Sequence, residues 1–329
     1  MKAITGSSDR WPTWRLSSRA DRHKAVSKEY LGLFKALKEE HLQFDVIHQN
    51  DLARQGEKLK RYRLVIIPSI AQFGAEELAV LRELHAAGIH LLATGRSLTA
   101  DAANLELLQD VFGAQPLRVD TDVRSAYLST ADKAVFRRFP ERDWVILDEA
   151  FTHAEFSPAC SGMLPFITPS TFGPPERASG HIVTEEFGAA VCRSTSGTAG
   201  VYMPWNPGEH YYKYGYADHK HIVLDLIDQV TDAKYVLTAQ APPQAEIMLN
   251  RIDDHTCMLH VVNLSGFNGV TYFEPVPLRN IEITVNGSER YQQAEELTGG
   301  QAVQITPSGS GVTVRLPELK EFAAIVLRQ

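Results

Sequence analysis

Two uninterrupted apolar runs constrain the fold more than any other feature. Tyr62-Arg63-Leu64-Val65-Ile66-Ile67-Pro68 and Ile89-His90-Leu91-Leu92-Ala93-Thr94 lack the polar alternation of a strand with one face in water. Runs of this kind suit strands buried on both faces, as in a parallel sheet covered by helices. The segments around them carry the helices. Tyr30, Leu31, Phe34, Leu37 and Leu42 recur at helical spacing. Gly74-Ala75-Glu76-Glu77 opens a second helix with Leu78, Leu81, Leu84 and His85 on one face, and Gly88 stops it. Phe44-Asp45-Val46-Ile47 reads as a short strand. Lys2-Ala3-Ile4-Thr5 supplies a first strand, with Tyr30–Glu40 as its crossover helix. Leu105–Phe112 is a further helix, ended by Gly113. Strand and helix alternating in this order imply right-handed crossovers and a parallel sheet.

Beyond residue 115 the pattern changes. Ser125-Ala126-Tyr127-Leu128 and Trp144-Val145-Ile146-Leu147 read as strands, and Pro165 to Pro175 as a loop rich in Pro, Gly, Ser and Thr. Ala189–Cys192 and Gly200–Met203 form a hairpin around Ser194–Thr198. His219–Val230 is helical, with Ile222, Val223, Leu226, Ile227 and Val230 on one face. After Ala241-Pro242-Pro243 come six short strands: Glu246–Arg251, Met258–Leu264, Ile281–Val285, Val303–Thr306, Val312–Leu316 and Phe322–Leu327. Turn residues separate them, the pattern of an antiparallel β-sandwich. A chain of 329 residues is long enough for two cores. The expected division is an α/β domain over 1–238 and the sandwich over 239–329.

Composition limits the partners. The apolar share of 44% and charged share of 22% are those of a globular protein. The net charge of −7 disfavours nucleic acid and anionic membrane as partners. No apolar run is long enough to span a bilayer, and the first residues lack the apolar core of a signal peptide, so a cytoplasmic location is expected. Cys160, Cys192 and Cys257 are odd in number and far apart, with no CxxC pair. They are expected as buried or partly buried thiols rather than metal ligands or a disulfide.

Four features bear on chemistry. Thr94 runs into Gly95-Arg96-Ser97-Leu98-Thr99, at a strand end where nucleophiles sit, but Thr99 replaces the second glycine of a nucleophile elbow. Ser97 is expected to cap the next helix. No glycine-rich phosphate loop occurs, so no nucleotide cofactor is expected. Asp148, Glu149 and Glu155 have the side chains of a glycosidase acid and nucleophile, or are simply solvated or ion-paired carboxylates. The segment from Pro204 to His221 is richest in functional side chains. Trp205, Glu209, His210, Tyr211, Tyr212, Tyr214 and Tyr216 stand there as sugar or interface contacts. The alternative is an ordered loop entering a helix with Asp218 as its N-cap. His219 and His221 are two residues apart and face differently on a helix, so no metal site is expected.

Several stretches together resemble one family. Tyr30-Leu31-Gly32-Leu33-Phe34-Lys35-Ala36-Leu37, Phe44–Ile47 and Tyr62–Pro68 are similar to the trimerisation domain of bacterial β-galactosidases and to related α-L-fucosidase-type hydrolases. The similarity continues through Gly88–Gly95, Val111-Phe112-Gly113, Phe172-Gly173-Pro174-Pro175-Glu176, Val201-Tyr202-Met203-Pro204-Trp205 and His260–Gly266. The resemblance implies a flavodoxin-like, class I glutamine-amidotransferase-like α/β fold without its catalytic cysteine, closed by an antiparallel β-sandwich. It implies a homo-oligomer, a trimer by analogy, and a (β/α)-barrel catalytic domain that this chain lacks. No catalytic residue, metal or cofactor carries over. The function expected is assembly and scaffolding of a glycoside hydrolase. The alternative is a stand-alone carbohydrate-binding protein or hydrolase using residues 204–221.

Overall fold

A computed structural model describes residues 2–5, 19–287, 291–309 and 311–329, with side chains from Lys28 onward. The chain separates into two compact units. One comprises Met1–Phe34 and Asp45–Ala233, the other Lys35–Phe44 and Lys234–Gln329.

The first unit begins with β1 (Lys2–Thr5), α1 (Arg19–Glu39, its last turn grouping with the second unit), β2 (Asp45–His48), α2 (Leu52–Leu59), β3 (Leu64–Pro68), α3 (Ala75–Ala86), β4 (His90–Thr94) and α4 (Ala102–Phe112). Four antiparallel strands come next: β5 (Ala114–Ser129), β6 (Trp144–Phe156), β7 (Ser161–Ile167) and β8 (Val183–Arg193). It ends with β9 (Ala199–Met203), α5 (Pro207–Tyr214) and α6 (Ala217–Thr231). All nine strands join one sheet in the order β2-β1-β3-β4-β9-β8-β7-β5-β6. The stretch from β2 to β9 is parallel and the rest antiparallel. Every residue of β3 is buried, as its unbroken apolar run requires. Val65, Ile67, Leu91 and Ala93 pack with Leu78, Leu81 and Leu84 of α3 and Leu107, Leu108 and Phe112 of α4.

The antiparallel part is more continuous than its sequence pattern. The strand begun at Trp144 runs on to Phe156, and Ser125–Leu128 is the end of a sixteen-residue strand. Register shifts interrupt the pairing of β5 with β6, and Ser125 and Glu149 take positive φ there (56° and 70°). Those bulges bend the strands and hide their alternation. The sheet curls until Phe151 on β6 bridges Trp205 after β9. His153 on β6 ties the curl: its Nε2 lies 3.0 Å from Asp120 on β5, and its Nδ1 contacts Glu186 on β8.

The three cysteines are not all thiols. Cys160 and Cys192, expected as separate thiols, form a disulfide across the start of β7 and the end of β8, with a Cα–Cα distance of 4.3 Å. Strand pairing puts them opposite each other one step beyond Ser161 and Val191. Their separation of 32 residues concealed this. Gly113, the left-handed C-cap of α4 (φ 58°), lies against both sulfurs, where any side chain would collide.

The second unit holds β10 (Leu237–Gln240), β11 (Ala245–Arg251), β12 (Thr256–Asn263), β13 (Leu278–Asn286), β14 (Gln293–Glu296), β15 (Gln304–Ser308), β16 (Gly311–Leu319) and β17 (Phe322–Arg328). They form two four-stranded antiparallel sheets, β10-β13-β16-β15 and β11-β12-β17-β14. Alternate residues such as Leu259, Val261, Ile281, Ile283, Val314, Leu316, Ile325 and Leu327 form the core. Within this unit the Gln43 side chain donates to Ile247 O (2.9 Å) and accepts from Leu249 N (2.8 Å), extending the β11 edge. Among the described residues no helix is long and apolar enough to cross a membrane.

Candidate functional site

Open parallel sheets bind ligands beyond the C-terminal ends of their strands, and here three chain reversals meet at that edge. Ser69 follows β3 with φ of 56°, and Gly95 follows β4 with the same φ. The third reversal is Pro204–Asn206 after β9. Gly95 N donates to Met203 O and Trp205 O, each at 2.8 Å. Tyr202 Oη donates to Gly95 O at 2.7 Å. A Cβ on Gly95 would strike Asn206 Oδ1 and Ser69 Oγ, so the turn requires glycine for space as well as for φ. Ser97 neither caps a helix nor faces a substrate. It is fully buried, and its hydroxyl lies 2.7 Å from Thr94 O and 3.0 Å from Ile67 O. The cap of α4 is Asp101, which accepts from Asn104 N at 3.0 Å.

A fully buried carboxyl lies at this edge. Glu29 of α1 accepts from Glu209 N at the first turn of α5, at 2.7 Å. The N-cap residue Asn206 makes no side-chain cap, so Glu29 caps α5 from another helix. Asn206 Nδ2 donates to Glu209 Oε2 (3.2 Å), and Lys28 Nζ lies 3.6 Å from Glu209 Oε1. Burial raises the Glu29 carboxyl to about 8, outweighing the Glu209 N–H and the Thr94 hydroxyl, which stabilise its anion. Gly32 makes this approach possible, because a Cβ there would overlap Gly208 O. Glu29 belongs to no catalytic or binding motif. Its signal was a carboxylate spaced four residues from Leu33 and seven from Ala36 on the buried face of a helix.

The structure divides the 204–221 segment. Residues 207–214 form a helix rather than a loop, and α6 is preceded by Tyr216 as its N-cap, not Asp218. Trp205, Glu209, His210 and Tyr211 are buried. Trp205 Nε1 donates to Gly188 O at 2.9 Å. His210 Nδ1 donates to Asn206 O (2.8 Å) and its Nε2 accepts from Asp148 N (3.1 Å), an arrangement that fits only the neutral ring. Burial lowers its pKa. His219 donates Nε2–H to Ile146 O at 2.9 Å, and burial together with His210 lowers it to about 4. These imidazoles brace the curled sheet. Tyr212 and Tyr216 are exposed, and Tyr214 is half-buried and stacked on Tyr216 with centroids 5.8 Å apart.

The three carboxylates do not converge on a substrate-facing pair. Asp148 Oδ1 accepts from Ser125 N at 3.1 Å. Glu149 pairs with Lys213, which holds its carboxyl below the usual range. Glu155 is exposed at the far end of β6. Among the described residues no group of three or more His, Cys, Asp or Glu side chains is placed to hold a metal ion.

No family model matches the sequence, and no curated protein matches it. Solved structures do. The α-L-fucosidase isoenzyme 2 from Paenibacillus thiaminolyticus aligns over 92% of this chain and 45% of its own, at TM-score 0.70 and 16% identity. A catalytic mutant of Gan42B, a GH42 β-galactosidase from G. stearothermophilus, aligns over 100% of this chain and 40% of its own, at TM-score 0.61 and 14% identity. The β-galactosidase from Bacillus circulans sp. alkalophilus aligns over 100% and 41%, at TM-score 0.60 and 14% identity. The chain shares the fold of a region in these glycosidases and spans less than half their length. An α/β unit followed by a β-sandwich is thus a known pairing.

Proposed function

We propose that this chain is the non-catalytic assembly and scaffolding region of a glycoside hydrolase of the β-galactosidase or α-L-fucosidase type. Its proposed domains, 1–238 and 239–329, follow the two compact units except that Lys35–Phe44 and Lys234–Thr238 group with the second. The observation that carries the reading is coverage: the fold matches nearly end to end, yet accounts for 40–45% of the matched glycosidase chains. The strand-end site agrees with it. The parallel order β2-β1-β3-β4-β9 follows the flavodoxin arrangement that glutamine-amidotransferase-like domains share. At the position of a nucleophile the chain has Ser97, which is buried with its hydroxyl on Thr94 O and Ile67 O, and the turn at Gly95 beside it is filled by Asn206 and Ser69. The role needs no cofactor or metal. The partners are further copies of the chain, as a trimer, and a (β/α)-barrel domain. Tyr212 and Tyr216 are the exposed rings that meet them.

Light scattering coupled to chromatography tests this reading. The chain is expected to form an oligomer, and Tyr212→Ser with Tyr216→Ser to weaken assembly while leaving the melting temperature nearly unchanged. Aryl galactosides and fucosides should not be hydrolysed. A monomer at high concentration, or turnover abolished by Glu149→Gln, rejects the reading.

A further inference from the structure

The antiparallel extension carries a group of rings that the strand-end site does not use. Tyr127 pairs with Ile146 and Ser129 with Trp144, so Tyr127 and Trp144 are diagonal neighbours on one face of β5 and β6. His181, just before β8, completes the group. Tyr127 and Trp144 lie 5.5 Å apart and inclined by 42°. His181 stands 5.1 Å from Tyr127 and 5.6 Å from Trp144, nearly perpendicular to both at 86° and 80°. Two rings thus make a floor and the third a wall. The wall is fixed, because His181 Nδ1 donates to Thr168 O at 2.8 Å, which leaves Nε2 of the neutral ring as an acceptor. The corner faces solvent: Trp144 is 43% exposed and His181 is exposed.

We propose that Tyr127, Trp144 and His181 bind a single galacto-configured pyranose, galactose or its deoxy relative fucose. The three rings are in mutual contact, with centroids a little over 5 Å apart, so a sugar stacks on their outer faces rather than between them. The surroundings are mixed: Lys133 paired to Asp143 (2.9 Å) and Arg142 to Asp218 (2.8 Å) lie next to Trp144 in sequence, and the exposed Ile182 and Val183 follow His181. An axial hydroxyl on carbon four gathers the hydrogens of carbons three, four and five on one face. That weakly positive C–H face stacks on the negative face of an aromatic ring. Glucose spreads its C–H bonds over both faces. The His181 Nε2 acceptor takes a hydroxyl of the bound sugar. The choice of sugar rests on the glycoside-hydrolase reading; the geometry of the corner does not.

Native electrophoresis of the full chain in gels containing soluble galactan, with dextran gels as control, tests the site. Retardation is expected in galactan and not in dextran, and free fucose should relieve it. Trp144→Ala should weaken the apparent affinity by about tenfold, as the loss of a central aromatic contact does. An unretarded chain, equal retardation in dextran, or a Trp144→Ala variant retarded like the parent overturns the proposal. If that variant does not fold, His181→Ala decides, since it removes an exposed ring with one hydrogen bond to Thr168; unchanged retardation then overturns it. Light scattering separates the two readings. An assembled chain that is not retarded sinks the sugar corner alone, and a retarded monomer sinks the assembly role alone.

Discussion

Replacing Glu29 with Gln should flatten the pH dependence of stability. In the folded chain the carboxyl is raised from 4.5 to about 8. Between those values the folded state keeps the Glu29 proton and the unfolded state has released it. Stability therefore falls as pH rises across this window and levels off above it. At about 1.4 kcal/mol per pH unit, the difference caps the effect at ~5 kcal/mol, and relaxation around the buried anion reduces it to roughly 2–4 kcal/mol. Glutamine retains an oxygen to accept from Glu209 N, 2.7 Å away in the parent, and does not titrate. Urea unfolding of both proteins at intervals from pH 5 to pH 9 measures the difference curve, from which other groups largely cancel. The parent should lose stability relative to Glu29→Gln as pH rises from about 5 to 8. Parallel curves would show that Glu29 does not hold its proton in that window, and the account of the α5 cap would be wrong.

Other consequences can be measured in the same way. His219, lowered to about 4, stays neutral when folded and protonates when unfolded near 6.5, so its contribution is lost as pH falls through that interval; His219→Gln should reduce the acid sensitivity of the urea midpoint. Gly32→Ala forces a Cβ into Gly208 O, backbone against backbone, and should cost about 3 kcal/mol or more in thermal unfolding, whereas Ala36→Gly should cost much less. The disulfide closes a span of 32 residues, worth roughly 3–4 kcal/mol through the unfolded chain. A Cys160→Ser, Cys192→Ser double variant should melt like the reduced parent, and a parent indifferent to reductant would contradict the bond.

The legible parts of the fold were those in which a local pattern met a local cause. The apolar runs at 64–68 and 89–94 became β3 and β4 because burial on both faces leaves no other reading. The six sandwich strands emerged from alternation between turns, while β10 and β14, of four residues each, were too short to show a period. In the 204–221 segment the residue types drew attention correctly, but their roles were not readable. Trp205, His210 and His219 are functional-looking side chains used as packing and bracing.

The sequence alone determined the layers: a parallel sheet under helices, then an antiparallel sandwich, with no nucleotide loop and no complete nucleophile elbow. These follow from the period of burial and from short motifs, which act over a few residues. Tertiary structure decided what pairs at a distance. It joined Cys160 to Cys192, placed Glu29 on the first turn of α5 some 180 positions away, and set His181 against Tyr127 and Trp144. It also bent β5 and β6 through bulges until β6 reached Trp205. Such contacts depend on strand register and on glycines that let backbones touch, and neither leaves a periodic mark in the chain.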